Sequence, residues 1–179
     1  MEITTWYLEQ DTPDELRPAR PAPVTVARAE LVSPELSRFL YTAVGGDWHW
    51  TDRLGWTWQR WHDWLSRPGV ETWIACERGT PAGYVELDAA TEPGEVEIAY
   101  FGLLPAFVGR GIGGHLLTQG LRRAWELADR RVWVHTCSLD GPAALANYQA
   151  RGMRLYRTET ADEPVADRPP GPWPGARGQ

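Results

Sequence analysis

The sequence predicts an α/β domain with a mixed, mostly antiparallel central sheet flanked by helices. Three observations predict it. Period-two runs rich in β-branched and aromatic residues recur along the chain. Two of them, Glu95–Leu104 and Arg131–Cys137, enclose the best amphipathic stretch, Gly111–Asp129, and a strand–helix–strand unit implies a parallel crossover. The runs before that unit are joined by tight turns at Arg78-Gly79-Thr80 and Glu92-Pro93-Gly94, which make antiparallel neighbours.

Element by element, Ile3–Leu8 alternates and reads as a strand, and a Pro-rich connection, Pro13–Pro23, leads to a second short strand, Val24–Ala29. Ser33-Pro34-Glu35 is a helix start, with Ser as N-cap and Pro at the first helical position; that helix stops at Gly45-Gly46. An aromatic and charged connection, Asp47–Trp56, precedes a helix over Gln59–Leu65. Glu71–Glu77 and Pro81–Asp88 form a hairpin. In Gly111–Asp129, Leu117, Leu121, Ala124 and Ala128 share one face, with charged residues elsewhere. Asp140-Gly141-Pro142 starts a last helix with Asp as N-cap, ending near Gly152, and Met153–Thr160 closes the sheet. Residues 1–160 are therefore expected to be one domain. Residues 161–179, with five prolines and few apolar groups, are expected to be a disordered tail.

Bulk properties narrow the function. The chain has 179 residues, enough for one real core, with 42% hydrophobic and 23% charged residues. No apolar run approaches a membrane span, and the N-terminus lacks the pattern of a signal peptide, so a cytoplasmic protein without a membrane partner is expected. Cys76 and Cys137 are too few for a disulfide framework or a thiolate zinc site, and no metal is expected. A net charge of −6 argues against nucleic acid as a partner. Six of the 11 tryptophans, Trp48, Trp50, Trp56, Trp58, Trp61 and Trp64, fall in one short stretch.

Val108-Gly109-Arg110-Gly111-Ile112-Gly113-Gly114 opens the amphipathic helix. Glycines let the backbone approach a ligand with φ > 0, and the first helical turn offers free N–H groups and partial positive charge. Together they suit a pyrophosphate, with Arg110 a further charge-assisted contact. Gly109-x-Gly111-x-x-Gly114 also matches a dinucleotide fingerprint, but the context opposes that reading. The motif follows several strands, Pro105–Val108 intervenes, and the next strand carries no terminal acid.

The stretch from Glu95 through this loop resembles the acetyl-CoA-binding motif of the GCN5-related N-acetyltransferase (GNAT) family: a strand, a short turn, then Arg/Gln-x-x-Gly-x-Gly/Ala leading into a helix. Val108 stands where the family prefers Arg or Gln. Ala144-Leu-Ala-Asn-Tyr148-Gln-Ala-Arg-Gly152-Met153 is similar to a second family element, with Met153 in place of Phe. The element order agrees from about Val24 to Thr160.

The resemblance implies acetyl-CoA as co-substrate, held by Leu103, Leu104, Val108, Gly109, Arg110, Gly111, Ile112, Gly113, Gly114 and Asn147. It implies direct acetyl transfer to an amine within a ternary complex, with Tyr148 as general acid and Glu97 as the best base candidate. Strand alternation puts Glu95 and Glu97 on one face with Ala99 and Phe101. His135, on the neighbouring strand, is a second base candidate or a pocket residue. The acceptor side falls to Trp48, His49, Trp50, Asp52 and Arg53. Asp52 suits an ammonium and Arg53 a carboxylate, so an amino acid or amino sugar would fit. Tyr148 also reads as a packing residue, Glu97 as a solvated strand face, and the Trp-rich stretch as a small core. A small-molecule amine acetyltransferase leads; a peptide or protein N-acetyltransferase and a non-catalytic CoA-binding domain stay open. Dimers are common in the family, so a homodimer is admitted.

Overall fold

A computed structural model describes residues 1–166 and 168–171. Asp167 and residues 172–179 of the expected tail lie outside the described residues. Strands β1 (Glu2–Gln10), β2 (Thr25–Arg28), β3 (Val70–Glu77), β4 (Thr80–Asp88), β5 (Glu95–Leu103), β6 (Arg131–Cys137) and β7 (Arg154–Asp162) form one sheet in the order β2-β3-β4-β5-β6-β1-β7. Every pairing is antiparallel except β5 with β6. Helices α3 (Ile112–Leu127) and α4 (Ala144–Ala150) cover one face. Helices α1 (Pro34–Gly45) and α2 (Trp58–Leu65) cover the other.

Alternation along the strands builds both layers. Val85, Leu87, Val96 and Ile98 point toward α3 and pack against Leu116, Leu117, Leu121 and Ala124. Tyr84 and Glu86 point the opposite way, toward α1 and α2.

A bulge changes this phase within β5. Leu87 pairs with Ile98 but Glu86 pairs with Tyr100, so Ala99 is an extra residue. Before it, Glu95 and Glu97 face away from α3. After it, Phe101 and Leu103 join the α3 core while Tyr100 joins Leu40, Val44 and Tyr84. Phe101 therefore does not share the face of Glu95 and Glu97, as uninterrupted alternation would require.

The same region splits the sheet. β5 and β6 pair only over Glu95–Glu97 with Arg131–Trp133. Beyond that, β5 continues with β4 to Leu103 and β6 continues with β1 to Cys137. A fork opens between them, consistent with the extra twist a bulge introduces.

Helix starts follow local chemistry. The Ser33 hydroxyl accepts the Leu36 N–H at 3.2 Å, with Pro34 at the first helical position. Thr57 caps α2 by accepting from Arg60 at 3.2 Å, so that helix begins at Trp58. Asp140 is not the N-cap of α4, which starts later, at Ala144, without a side-chain cap. Its carboxylate instead accepts from the Thr136 hydroxyl at 2.7 Å, the Cys137 N–H at 3.1 Å and the Trp50 indole at 3.1 Å. Part of the expected tail is placed: β7 runs to Asp162, Glu163 donates to Met1 O at 3.0 Å, and Gly171 donates to Gly46 O at 2.8 Å.

Gly45 seats the Trp50 ring, since a Cβ there would lie 2.2 Å from Trp50 Cε3. A rigid indole cannot yield as a flexible chain can. Gly45→Ala is expected to cost about 1–3 kcal/mol, read as a lowered urea midpoint with a changed tryptophan emission.

Candidate active site

The flank of the fork is the glycine turn. Gly109 and Gly111 have φ of 80° and 77°, where side chains are strained, and nothing lies within 4 Å of a Cβ built at either. Gly111 is the N-cap of α3, and the first helical bond runs from His115 N–H to its carbonyl. Among the described residues no backbone acceptor meets the amides of Gly109 through Gly114. They form an open row of donors at the positive end of a 16-residue helix. Leu103 Cδ1 and Asn147 Nδ2 lie 3.5 Å and 3.7 Å from a Cβ built at Gly113, which brings these expected contact residues together.

Two loop residues behave differently from a simple cradle. Arg110 turns sideways to Glu77, with Nη2–Oε1 at 2.6 Å. Gly114 is a packing glycine: a Cβ there would lie 2.5 Å from Arg151 Nη1 and 3.0 Å from Ala19 Cβ. Val108 is 58% exposed.

The fork edge supplies further donors. Leu104 donates to Ala82 O at 2.9 Å, toward β4. Alternation then turns the Leu103 and Phe101 amides toward the side that β6 has left. A diphosphate on the glycine turn and an extended amide-bearing arm along this edge both find donors here, so these residues fit coenzyme A.

At the base of the fork, Glu97 meets His135 across the gap, Oε1–Nδ1 at 3.3 Å. The hydrogen bond with Glu97 raises the imidazole pKa; burial opposes this, and the charges of Glu97, Asp140 and Asp52 add to it. Glu95 does not form a repelling pair with Glu97. It is neutralised by Arg130 at 2.6 Å and Arg131 at 2.8 Å.

Tyr148 is 5% exposed and packs edge-on against Phe101 at 5.9 Å between centroids. Its hydroxyl has no hydrogen-bond partner among the described residues. Burial pushes its pKa well up, with Asp140 adding to the shift. The phenol therefore stays protonated. Proton delivery to a thiolate is economical only if the thiolate stands in the same dry surroundings, where its own pKa also rises.

The α1–α2 connection closes the acceptor end. Trp50 bonds Asp140 across the fork and stacks edge-on with Tyr100 at 5.0 Å; Tyr100 meets Tyr41 at 5.1 Å. Trp48 lies against Gly141, where a built Cβ would come within 3.4 Å of its ring. His49 joins them in the left-handed region, φ 58°. Asp52 is exposed. Arg53 is not a surface partner of Asp52. It is 4% exposed, and its guanidinium makes two bonds to Glu86, at 3.0 Å and 2.9 Å. Four rings surround it, Tyr100 at 4.3 Å, Trp56 and Trp64 at 4.6 Å, and Trp61 at 5.5 Å. Burial works against its charge, but Glu86 more than offsets that and raises its pKa. The sequence reading missed Glu86, whose signal was a carboxylate between Val85 and Leu87 in a strand buried on both faces.

A forked sheet with an open row of amide donors on its flank and a Glu–His pair at its base is the layout of an acyltransferase-type α/β protein. The acetyltransferase (GNAT) family matches residues 34–153, more than half of the chain, and this chain belongs to that family. Solved structures share the fold. A GCN5-related N-acetyltransferase from Kribbella flavida gives a TM-score of 0.63 at 21% identity, over 87% of this chain and 55% of that one. Another from Sphaerobacter thermophilus gives 0.67 at 16%, over 88% and 50%. The ribosomal-protein-S18-alanine N-acetyltransferase from Escherichia coli gives 0.55 at 13%, over 72% and 76%. The chain thus spans about half the length of the first two. No curated protein matches it. Among the described residues no helix is long and apolar enough to cross a membrane.

Two outcomes are expected. His135 should titrate above the ordinary imidazole value of about 6.5 in an NMR titration, and Glu97→Gln should bring it down. Because the folded pKa is the higher, the stability this pair adds is complete below the unfolded value and fades as pH rises through the folded one. An unchanged titration in the variant would refute the pairing. Arg53→Met leaves Glu86 buried and unpaired and should cost about 3–5 kcal/mol in urea unfolding; adding Glu86→Leu should recover part of that loss.

Proposed function

We propose that this chain transfers an acetyl group from acetyl-CoA to a primary amine of a small molecule, by direct attack in a ternary complex. One observation carries the reading: the unpaired β5 edge beyond the fork lies beside the open amides of Gly109–Gly114. Acetyl-CoA supplies the activated acyl carbon when bound. The Leu103 and Phe101 amides orient the thioester carbonyl. Glu97, with His135, accepts a proton from the entering ammonium so that nitrogen has a free lone pair. The C–N bond forms as the C–S bond breaks. Tyr148 gives its proton to the departing thiolate, the surplus proton on nitrogen passes to the Tyr148 oxygen and restores the phenol, and the proton first taken by Glu97 and His135 leaves to solvent.

The aromatic connection supports a small acceptor over a peptide. Trp48 and Trp50 reach across to Gly141 and Asp140, which narrows the acceptor end. The bacterial structural relative named for acting on an S18 alanine shares only the fold at 13% identity.

Two measurements test the proposal. Calorimetry should show acetyl-CoA binding, weakened at least about tenfold by Gly111→Val, which places a β-branched residue at positive φ. A thiol-release assay with an amine panel should show turnover. Tyr148→Phe together with Glu97→Gln should lower kcat by about 10²-fold or more while leaving acetyl-CoA binding in place. Binding without turnover of any amine would favour a non-catalytic CoA-binding domain.

A further inference from the structure

We infer that the acceptor is a small amine carrying a second ammonium group and no carboxylate, with Asp52 receiving the second charge. The inference rests on the acetyl-transfer reading above and concerns the acceptor end of the same fork.

Recognition of an amino acid would need a cation for its carboxylate. Arg53 is the one arginine within the Asp47–Trp56 connection, and it is unavailable. Both terminal nitrogens are taken by Glu86, the two side chains are 5% and 1% exposed, and aromatic rings enclose the group. Freeing it for a ligand would strand a buried carboxylate.

Three carboxylates among the described residues stand at this end. Glu97 faces His135 at 3.3 Å. Asp140 is bound by three neutral donors, the Thr136 hydroxyl, the Cys137 amide and the Trp50 indole, so its charge is oriented but not cancelled. Asp52 is exposed and has neither a hydrogen bond nor an ion pair among the described residues. Its neighbour Arg53 donates its N–H to the Tyr41 hydroxyl at 3.2 Å, and Tyr41 packs on Trp50 and Tyr100, which sets Asp52 on the same wall. Even with the His135 imidazole protonated, these three carboxylates outnumber it.

Aromatic faces complete the wall. Trp50 and Tyr100 sit edge to face beside the fork, and Trp48 lies over Gly141. Rings of this kind attract alkylammonium groups, with or without a nearby carboxylate. One ammonium can thus reach the Glu97–His135 pair and be deprotonated, while the other rests near Asp52 and the rings. A carboxylate in the second position would be repelled.

The test compares three acceptors of equal length: 1,4-diaminobutane, butylamine and 4-aminobutanoate. Thiol release is followed with saturating acetyl-CoA, and binding of each amine to CoA-saturated protein is followed by calorimetry. The expected order of kcat/KM is diamine, then butylamine by about tenfold or more, then aminobutanoate lowest. Asp52→Asn should pull the diamine-to-butylamine ratio down toward one. The inference is overturned if aminobutanoate matches or exceeds the diamine, or if diamine and butylamine perform alike. It is overturned too if Asp52→Asn leaves the ratio unchanged. It also fails if acetyl-CoA binds but none of the three amines turns over, an outcome that spares coenzyme binding. Absence of acetyl-CoA binding would instead defeat the transfer reading itself, and the inference with it.

Discussion

The parting of β5 from β6 is the constraint on which the rest depends. Sheet strands normally satisfy their amides against neighbours, and an unpaired buried amide is costly. Here the neighbours separate after three residue pairs, so the far half of β5 keeps one hydrogen-bonding edge open. The glycine turn follows within a few residues and adds its own row of free donors. A ligand with an amide-bearing arm and an anionic end satisfies both rows together. The parallel crossover through α3 makes this geometry possible, because it places the helix N-terminus at the same end of the sheet as the fork.

Closure at the other end comes from aromatic packing. The connection between α1 and α2 carries Trp48 and Trp50 over the fork, and Trp50 reaches Asp140 on the far side. Gly45 and Gly102 make room: a Cβ on either would overlap Trp50 or Val44. The Arg53–Glu86 pair anchors the same connection to β4 from below. The wall is therefore held at three points, by a hydrogen bond across the fork, by ring packing against Tyr41 and Tyr100, and by a buried ion pair.

Much of this was legible in the residues. Period-two runs located the strands, Ser33-Pro34 started a helix where local capping chemistry demands one, and the glycines before Ile112 marked a turn that needs positive φ. What escaped was long-range. Ala99 is one small residue in an apolar run, and nothing local marks it as a bulge; only its mismatch with Glu86 and Leu87 on β4 does. Asp140 looked like an N-cap because it precedes Gly-Pro, yet a hydroxyl, an amide and an indole compete for its carboxylate and win. Arg53 looked available for an acceptor carboxylate, because its actual partner lies 33 residues away on another element.

The buried Arg53–Glu86 pair has a consequence for how this wall can change over generations. Either residue replaced alone leaves its partner's charge buried and unpaired, which destabilises the connection it supports. Altering the two together avoids that barrier but requires a double step. The packing beneath this wall is thus hard to vary, while the exposed Asp52, without an ion pair among the described residues, can be exchanged in a single step. Divergence in what relatives of this chain accept should accordingly begin at exposed positions such as Asp52 and leave the buried pair intact.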